Sequence, residues 1–403
     1  MNETELNINA YLDSLSSDTE SIDISFRNLT TLPDLSRFKN LTYLNCAYNY
    51  LTFLPSFNNT LTTLYCNNNC ITSLPYFNHS LRILNCSNNS ISYLPFFNDA
   101  LTTLYCSENH LTSLPPFNDA LDMIVCFGNR LDALPSFNHS LHTINCSNNR
   151  IRWMPAFNDA LHLVYCSGNK LTLLPAFNHS LHTIYCSDNR LTELPPFNDN
   201  LREIYCSNNR ITSLPPLNDS LRIIFCSYNR ITLLPSLNNS LHDLFCNNNR
   251  ITCLPPLNDN LDNLNCSYNQ ITYLPPLNNA LHTLCCSNNN LTCLPPLNGN
   301  NYFGFLNCTN NNIVSLPQLP THTSIQCINN PIYDIICDDV YKNNKWNHFL
   351  YFYFLSKLKK KFLSWMWKSR EDRIKEHYHP KHLFNFIRNF DDNEDLDEFL
   401  RIW

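Results

Sequence analysis

A cysteine recurs every 20 residues from Cys46 to Cys286, and nothing else in the chain limits its fold so tightly. The surrounding residues keep the same phase. One unit reads Leu201, Ile204, Cys206, Asn209, Ile211, Leu214, Pro215, Leu217 and Asn218. Thirteen such units run in strict register from Leu41 to Asn300. Degenerate units flank them. Ile22, Ile24, Leu29, Leu32 and Pro33 fit a first one, with Arg27 in the Asn slot. Leu306, Cys308, Asn311, Ile313, Leu316 and Pro317 fit another, and Ile325, Cys327, Asn330 and Ile332 a last, which makes 16 units. A short fixed period means a linear array, because one unit cannot bury its own apolar edge and must stack on neighbours.

The residue choices say how a unit runs. Around each Cys, apolar and polar residues alternate, as in a strand with one face buried. Leu44 and Cys46 are expected to point inward, and Tyr43, Asn45 and Ala47 outward. Such strands stack in parallel about 4.8 Å apart and form a concave face. Asn49 and its equivalents then enter a buried turn, where their amides satisfy backbone groups. Leu54-Pro55 to Asn58 returns along the convex side in extended form, since Pro fixes φ and 20 residues leave no room for a full helix. With only 4 Gly in the chain, Asn is expected to supply many left-handed turn positions.

The unit L-x-x-L-x-C-x-x-N-x-L resembles the leucine-rich repeat, with Cys in the third Leu slot. The stretch Leu214-Pro215-Pro216-Leu217-Asn218-Asp219-Ser220-Leu221 resembles the short repeats of bacterial type III secreted effectors, over roughly residues 22–335. Those proteins usually carry a second Pro where this chain has Asn58 or Asn218, and some bear a C-terminal ubiquitin-ligase domain. About 65 residues follow the array here, too few for that domain, so ligase activity is not implied. The Asn-rich style and the segment His377-Tyr378-His379-Pro380 before an acidic stretch are also similar to repeat proteins of giant DNA viruses. The implied fold is an α/β leucine-rich-repeat solenoid, with parallel strands on the concave face, an irregular convex side and a helical C-terminal region. The expected parts are an N-terminal cap (1–21), the array (22–340) and a helical cap or tail (341–403).

Columns in register across units are where function would be written. The column between the buried Leu and the Cys holds five consecutive aromatics, Tyr165, Tyr185, Tyr205, Phe225 and Phe245. Exposed contiguous aromatics mark an interaction site; the same rings would also stack and stabilise the strands. A second column is basic: Arg130, Arg150, Lys170, Arg190, Arg210, Arg230 and Arg250. It reads either as a ridge able to contact an acidic protein or phosphates, or as a solvated edge. An Asp column, Asp99 to Asp259, lies at the other side of the strand entry and offsets it. His142, His162 and His182 form a short row, with His242 and His282 beyond. They lack a carboxylate shell, as the Cys column lacks the C-x-x-C pairs of metal sites, so no metal or cofactor is expected. The Cys and Phe columns read as core, and the second Asn column, Asn58 to Asn298, as a turn ladder.

The ends differ from the array. Leu6, Ile8, Tyr11, Leu12 and Leu15 fit a short helix covering the first unit. From about Tyr341, Trp346, Phe349, Tyr353, Leu358, Phe362 and Trp365 recur at near-helical spacing among Lys357 and Lys359 to Lys361. That segment suits a cap on the last strand or a membrane-surface helix. The acidic, polar start lacks a signal-peptide pattern and no stretch is long and apolar enough to span a bilayer. A cytoplasmic protein (host cytoplasm if viral) with its 20 Cys reduced is therefore expected. The net charge of −6 argues against a general polyanion binder. No nucleotide loop or nucleophile–base pair appears. The expectation is a monomeric, non-enzymatic scaffold that binds a partner protein through the concave face. The site is placed on the five aromatics with Arg190, Arg210 and Arg230. The alternative is an adaptor that recruits a second partner or a membrane through the C-terminal region, or an acidic or nucleic-acid partner through the basic ridge.

Overall fold

A computed structural model of the chain describes residues 3–334, apart from 298–301 and 321. Within them the 20-residue period becomes one short strand per unit. Strand β1 is Ser21–Asp23, β2 is Tyr43–Asn45, and twelve equivalents follow at the same unit positions to β14, Thr283–Cys285. β15 (Phe305–Asn307) and β16 (Ser324–Gln326) complete a single sheet, in chain order and all parallel. The register is fixed: Ile204 pairs with Ile184 on one side and Ile224 on the other. Every strand from β2 to β15 buries its middle residue and half-exposes the two beside it. A one-residue slip would expose the entire apolar set, which is why the register holds over so many units.

Behind the sheet lies one continuous core. Leu201, Ile204, Cys206 and Ile211 of a single unit are each fully buried. Each such aliphatic contributes roughly 1.5–3 kcal/mol on leaving water, an upper figure for a chain already partly collapsed when unfolded. The return side has neither strand nor helix. There the Phe column packs half-buried against the core. From Phe77 to Phe197 successive rings stack with centroids 6.3–6.4 Å apart.

Two asparagine ladders hold the turns. Asn209 Nδ2 donates to the carbonyls of Cys206 (3.1 Å) and, one unit back, Cys186 (3.0 Å), while its Oδ1 accepts the Leu191 N–H at 2.9 Å. On the return side, Asn218 Nδ2 donates to the carbonyls of Leu201 (3.0 Å) and Asn198. Both ladders satisfy buried backbone groups that loops of this kind otherwise leave unpaired. The first unit lacks its own Asn, and its neighbour's compensates: Asn49 Oδ1 accepts the N–H groups of both Arg27 and Leu29, each at 3.0 Å.

Two expectations change in detail. Ala47 is buried rather than outward, because the strand ends at Asn45 and the chain already turns in toward Asn49, whose Nδ2 donates to the Ala47 carbonyl. The left-handed backbone falls on the residue before the ladder Asn. Asn fills it in many units, such as Asn68, Asn148 and Asn208, but Tyr48, Tyr228 and Tyr268 also hold φ near +55°. An ordinary side chain there costs about 1–2 kcal/mol. The inter-unit backbone bonds hold it, as in Tyr228 N–H to the Asn247 carbonyl at 2.9 Å.

At the N-terminal end, helix α1 (Glu3–Asp13) lays Ile8 and Leu12 into the core, with Tyr11 and Leu15 packed beside them. Arg37 donates to the Leu12 carbonyl, satisfying a helix-terminal group, and lies 3.8 Å from the Asp13 carboxylate. A one-turn helix, α2 (Pro331–Asp334), follows the last strand. The expected helical region 341–403 lies outside the described residues. No helix among the described residues is long and apolar enough to cross a membrane.

Candidate interaction surface on the sheet

Parallel, in-register strands place equivalent residues one strand spacing apart, about 4.8 Å. For aromatic residues that separation suits offset stacking. Tyr165, Tyr185, Tyr205, Phe225 and Phe245 accordingly form one continuous ladder. Successive centroids lie 4.5, 4.2, 5.0 and 4.3 Å apart, with ring planes within 21° of parallel. All five are half-buried, chiefly because each covers its neighbours' faces. What remains for solvent is ring edges and hydroxyls. The Tyr205 hydroxyl donates to Glu203 Oε2 at 3.2 Å. Burial, then the neighbouring tyrosine and Glu203, raise the pKa of Tyr165; burial, then Glu203 and Tyr185, raise that of Tyr205. Both phenols stay protonated as hydrogen-bond donors.

Two rows of basic character flank this ladder. On the side where each strand exits stand the expected Arg190, Arg210 and Arg230, all exposed, in line with Arg150, half-buried Lys170 and Arg250. Where each strand enters runs a second row: His142, His162, His182, Arg202, Arg222 and His242. Backbone bonds keep it in register, with Arg202 N–H to the His182 carbonyl and Arg222 N–H to the Arg202 carbonyl, both 2.8 Å. The His142 and His162 rings stack with centroids 5.3 Å apart, whereas His162 and His182 meet tilted, 5.2 Å apart. The His182 pKa is lowered, by burial first and then by Arg202 and His162. The sequence reading found the histidines of this row but missed Arg202 and Arg222, although they sit 20 and 40 residues after His182.

Charge is sorted between the two sides of the array. Over residues 141–260 the sheet-side positions carry eight Lys or Arg against three carboxylates, Asp188, Glu203 and Asp243. Each of these carboxylates accepts a hydrogen bond from a neighbour on the array: Asn208, Tyr205 and Asn263 respectively. Among the described residues none of the eight cations is in an ion pair; the two pairs present are Arg37–Asp13 and His142–Asp122. Asp159, Asp199, Asp219 and Asp259 lie in the return segments.

The Cys column is packing rather than chemistry. Burial pushes the thiols of Cys46, Cys86, Cys146 and Cys206 up to about 12, so no thiolate is available at neutral pH. Among the described residues no group of three His, Cys, Asp or Glu side chains is arranged to hold a metal. The C-terminal histidines, the basic aromatic segment and the acidic end all lie outside the described residues.

Comparison with known proteins fits this geometry. A family model described as leucine-rich repeats (2 copies) matches residues 179–219, in the middle of the aromatic ladder. Among solved structures, the chain is similar to YopM, a leucine-rich effector protein from Yersinia pestis. The TM-score is 0.66 at 29% identity, covering 81% of this chain and 88% of that one. It is also similar to the functional domain of InlJ from Listeria monocytogenes, which includes a cysteine ladder. There the TM-score is 0.65 at 27% identity, over 74% of this chain and 69% of that one. A leucine-rich-repeat protein of Leptospira interrogans shares the fold, with a TM-score of 0.62 at 24% identity over 73% and 91% of the two chains. No curated protein matches the chain in sequence.

Proposed function

Because the chain is a leucine-rich-repeat solenoid, similar to those of bacterial effector proteins and of a fold typical of protein–protein interaction, we propose that it is a non-enzymatic scaffold binding a partner protein on its sheet face between residues 160 and 250. One observation carries the reading: five stacked aromatics present their edges between two rows of side chains, and the seven Lys and Arg residues there, Lys170 to Arg250, have no ion-pair partner among the described residues. A protein surface retains such a stripe at some cost, since aligned like charges repel. Interfaces draw on aromatic and Arg anchors of this kind. Concavity is supported by the ring spacings. The return-side Phe rings stand 6.3–6.4 Å apart and the sheet-side rings 4.2–5.0 Å, as units splayed away from the sheet would leave them.

The test is affinity capture from cell lysate with the full chain and with a Tyr165, Tyr185, Tyr205 and Phe225→Ala variant, shown to fold by circular dichroism. A photo-crosslinking residue in place of Tyr185, compared with one in place of return-side Tyr76, gives a second readout that leaves most of the ladder intact. A partner captured by wild type alone and crosslinked from position 185 supports the proposal. Equal capture by both chains, or crosslinking from position 76 alone, sinks it.

A further inference from the structure

We infer that the occupant of this face is an acidic, extended polypeptide segment lying along the solenoid axis, across the strands; the inference rests on the scaffold reading above and specifies its partner's chemistry. The first argument is electrostatic. Arg202 and Arg222 on the entry row and Arg190, Arg210 and Arg230 on the exit row are all exposed, and none has an ion-pair partner among the described residues. A chain of net charge −6 thus concentrates positive side chains on two parallel lines of one face. A segment laid between them meets cations on both sides, which a globular acidic surface touching one edge does not.

The second argument is dimensional. The exit row from Arg150 to Arg250 spans five strand spacings, each about 4.8 Å, or roughly 24 Å. An extended chain rises about 3.3 Å per residue, so seven or eight residues match the row. Alternate side chains of that segment point to opposite sides and so address the two rows in turn.

The third argument decides between the two polyanions that fit such a groove. Single-stranded nucleic acid is held by stacking its bases on free aromatic faces. Here the faces of Tyr185 and Tyr205 are already closed against each other at 4.2 Å, and those of Phe225 and Phe245 at 4.3 Å. The ladder offers ring edges, whose partial positive charge suits carboxylates and peptide carbonyls but gives a base nothing to stack on.

The experiment uses the full chain and fluorescence anisotropy with three labelled probes: an eight-residue glutamate peptide, the same length of glutamine, and a 15-nucleotide oligo-dT. Wild type is compared with R202Q/R222Q, with R210Q/R230Q and, as a control for charge away from the sheet, with R152Q on the return side. These are exposed positions, and a melting curve checks that each variant keeps its fold. The expected result is measurable binding of the glutamate peptide, none of the glutamine peptide, and about a tenfold loss in each double variant against less than about twofold for R152Q, with weakening as salt rises. Three results each overturn the inference: no binding of the glutamate peptide, equal loss in all variants, or oligo-dT bound as tightly and lost with the same variants. Those failures are separable from failure of the scaffold reading, because the capture experiment depends on the ladder and needs no acidic probe.

Discussion

The Oδ1 of Asn209 accepts the backbone N–H of Leu191, 18 residues earlier in the chain, at 2.9 Å inside the core. With the bonds its Nδ2 donates to the Cys186, Cys206 and Ser207 carbonyls, this one side chain ties together two units and its own turn. The relationship repeats in nearly identical form along the array, as from Asn129 to Leu111 and from Asn289 to Ile271.

Replacing Asn209 with Ala therefore leaves the Leu191 N–H buried without its acceptor, while the Cys186 and Cys206 carbonyls each keep one donor, Asn189 and Asn229. An unsatisfied buried group costs about 1–3 kcal/mol, so Asn209→Ala is expected to destabilise the array by about that much. Long repeat arrays need not unfold in one step, so the decisive measurement is local. The Leu191 amide should exchange its hydrogen far faster in the variant than in wild type. Unchanged exchange there would show that the ladder bonds carry little.

The Cys column makes a prediction about polarity. Cys206 is fully buried among aliphatic side chains. Cys206→Ser puts a hydroxyl where a weak donor sat in apolar surroundings, while Cys206→Ala leaves only a small void. We expect Ser to lower the melting temperature more than Ala does. The reverse order would mean that sulfur volume, not polarity, is what the site requires.

The same thiols bear on pH. Their pKa is raised in the folded chain, to about 12 for Cys206, so a protonated thiol is favoured by folding and a thiolate by unfolding. The contribution is complete below the unfolded pKa, near 8.5, and is lost as pH rises above it. One unit above that pKa, each raised thiol costs about 1.4 kcal/mol of stability. With the column repeated along the whole array, the melting temperature should fall steeply between about pH 8.5 and 10. A flat alkaline profile would contradict this.

Reactivity should divide along the same line. Cys70 and Cys293 are exposed, whereas the column thiols are buried. At pH 8 a thiol reagent should modify the exposed pair promptly, and the column only at the rate of unfolding. Mass spectrometry of peptides taken at short times distinguishes the two classes; early modification of Cys206 would show that the units open readily.

The aromatic ladder should add stability as well as surface. Tyr185 stacks on Tyr165 and Tyr205 at 4.5 and 4.2 Å. Removing it in Tyr185→Ala forfeits two ring contacts, about 1–3 kcal/mol together, and Tyr185→Phe should retain nearly all of that. Equal melting temperatures for wild type and the Ala variant would assign the ladder to partner binding alone.

The sequence alone determined the architecture. A 20-residue period with Leu, Cys and Asn in fixed phase admits one way of burying its apolar edge, which is to stack in register, and the strands at Tyr43–Asn45 and Thr283–Cys285 fall where that phase puts them. The buried Asn49 ladder, the half-buried Phe column and the aromatic column were legible for the same reason: a parallel array converts sequence spacing directly into spatial adjacency. Other features needed the tertiary structure. Ring orientation depends on how each ring meets the next unit, so only the structure decided that Tyr165 to Phe245 close their faces on one another. Whether a cation is neutralised depends on neighbours from other units, so only the structure decided that Arg202, Arg210, Arg222 and Arg230 stand without ion-pair partners among the described residues. The left-handed position, too, was decided by the backbone path: it falls one residue before the ladder Asn and is held by bonds between units, which is why Tyr228 can occupy it.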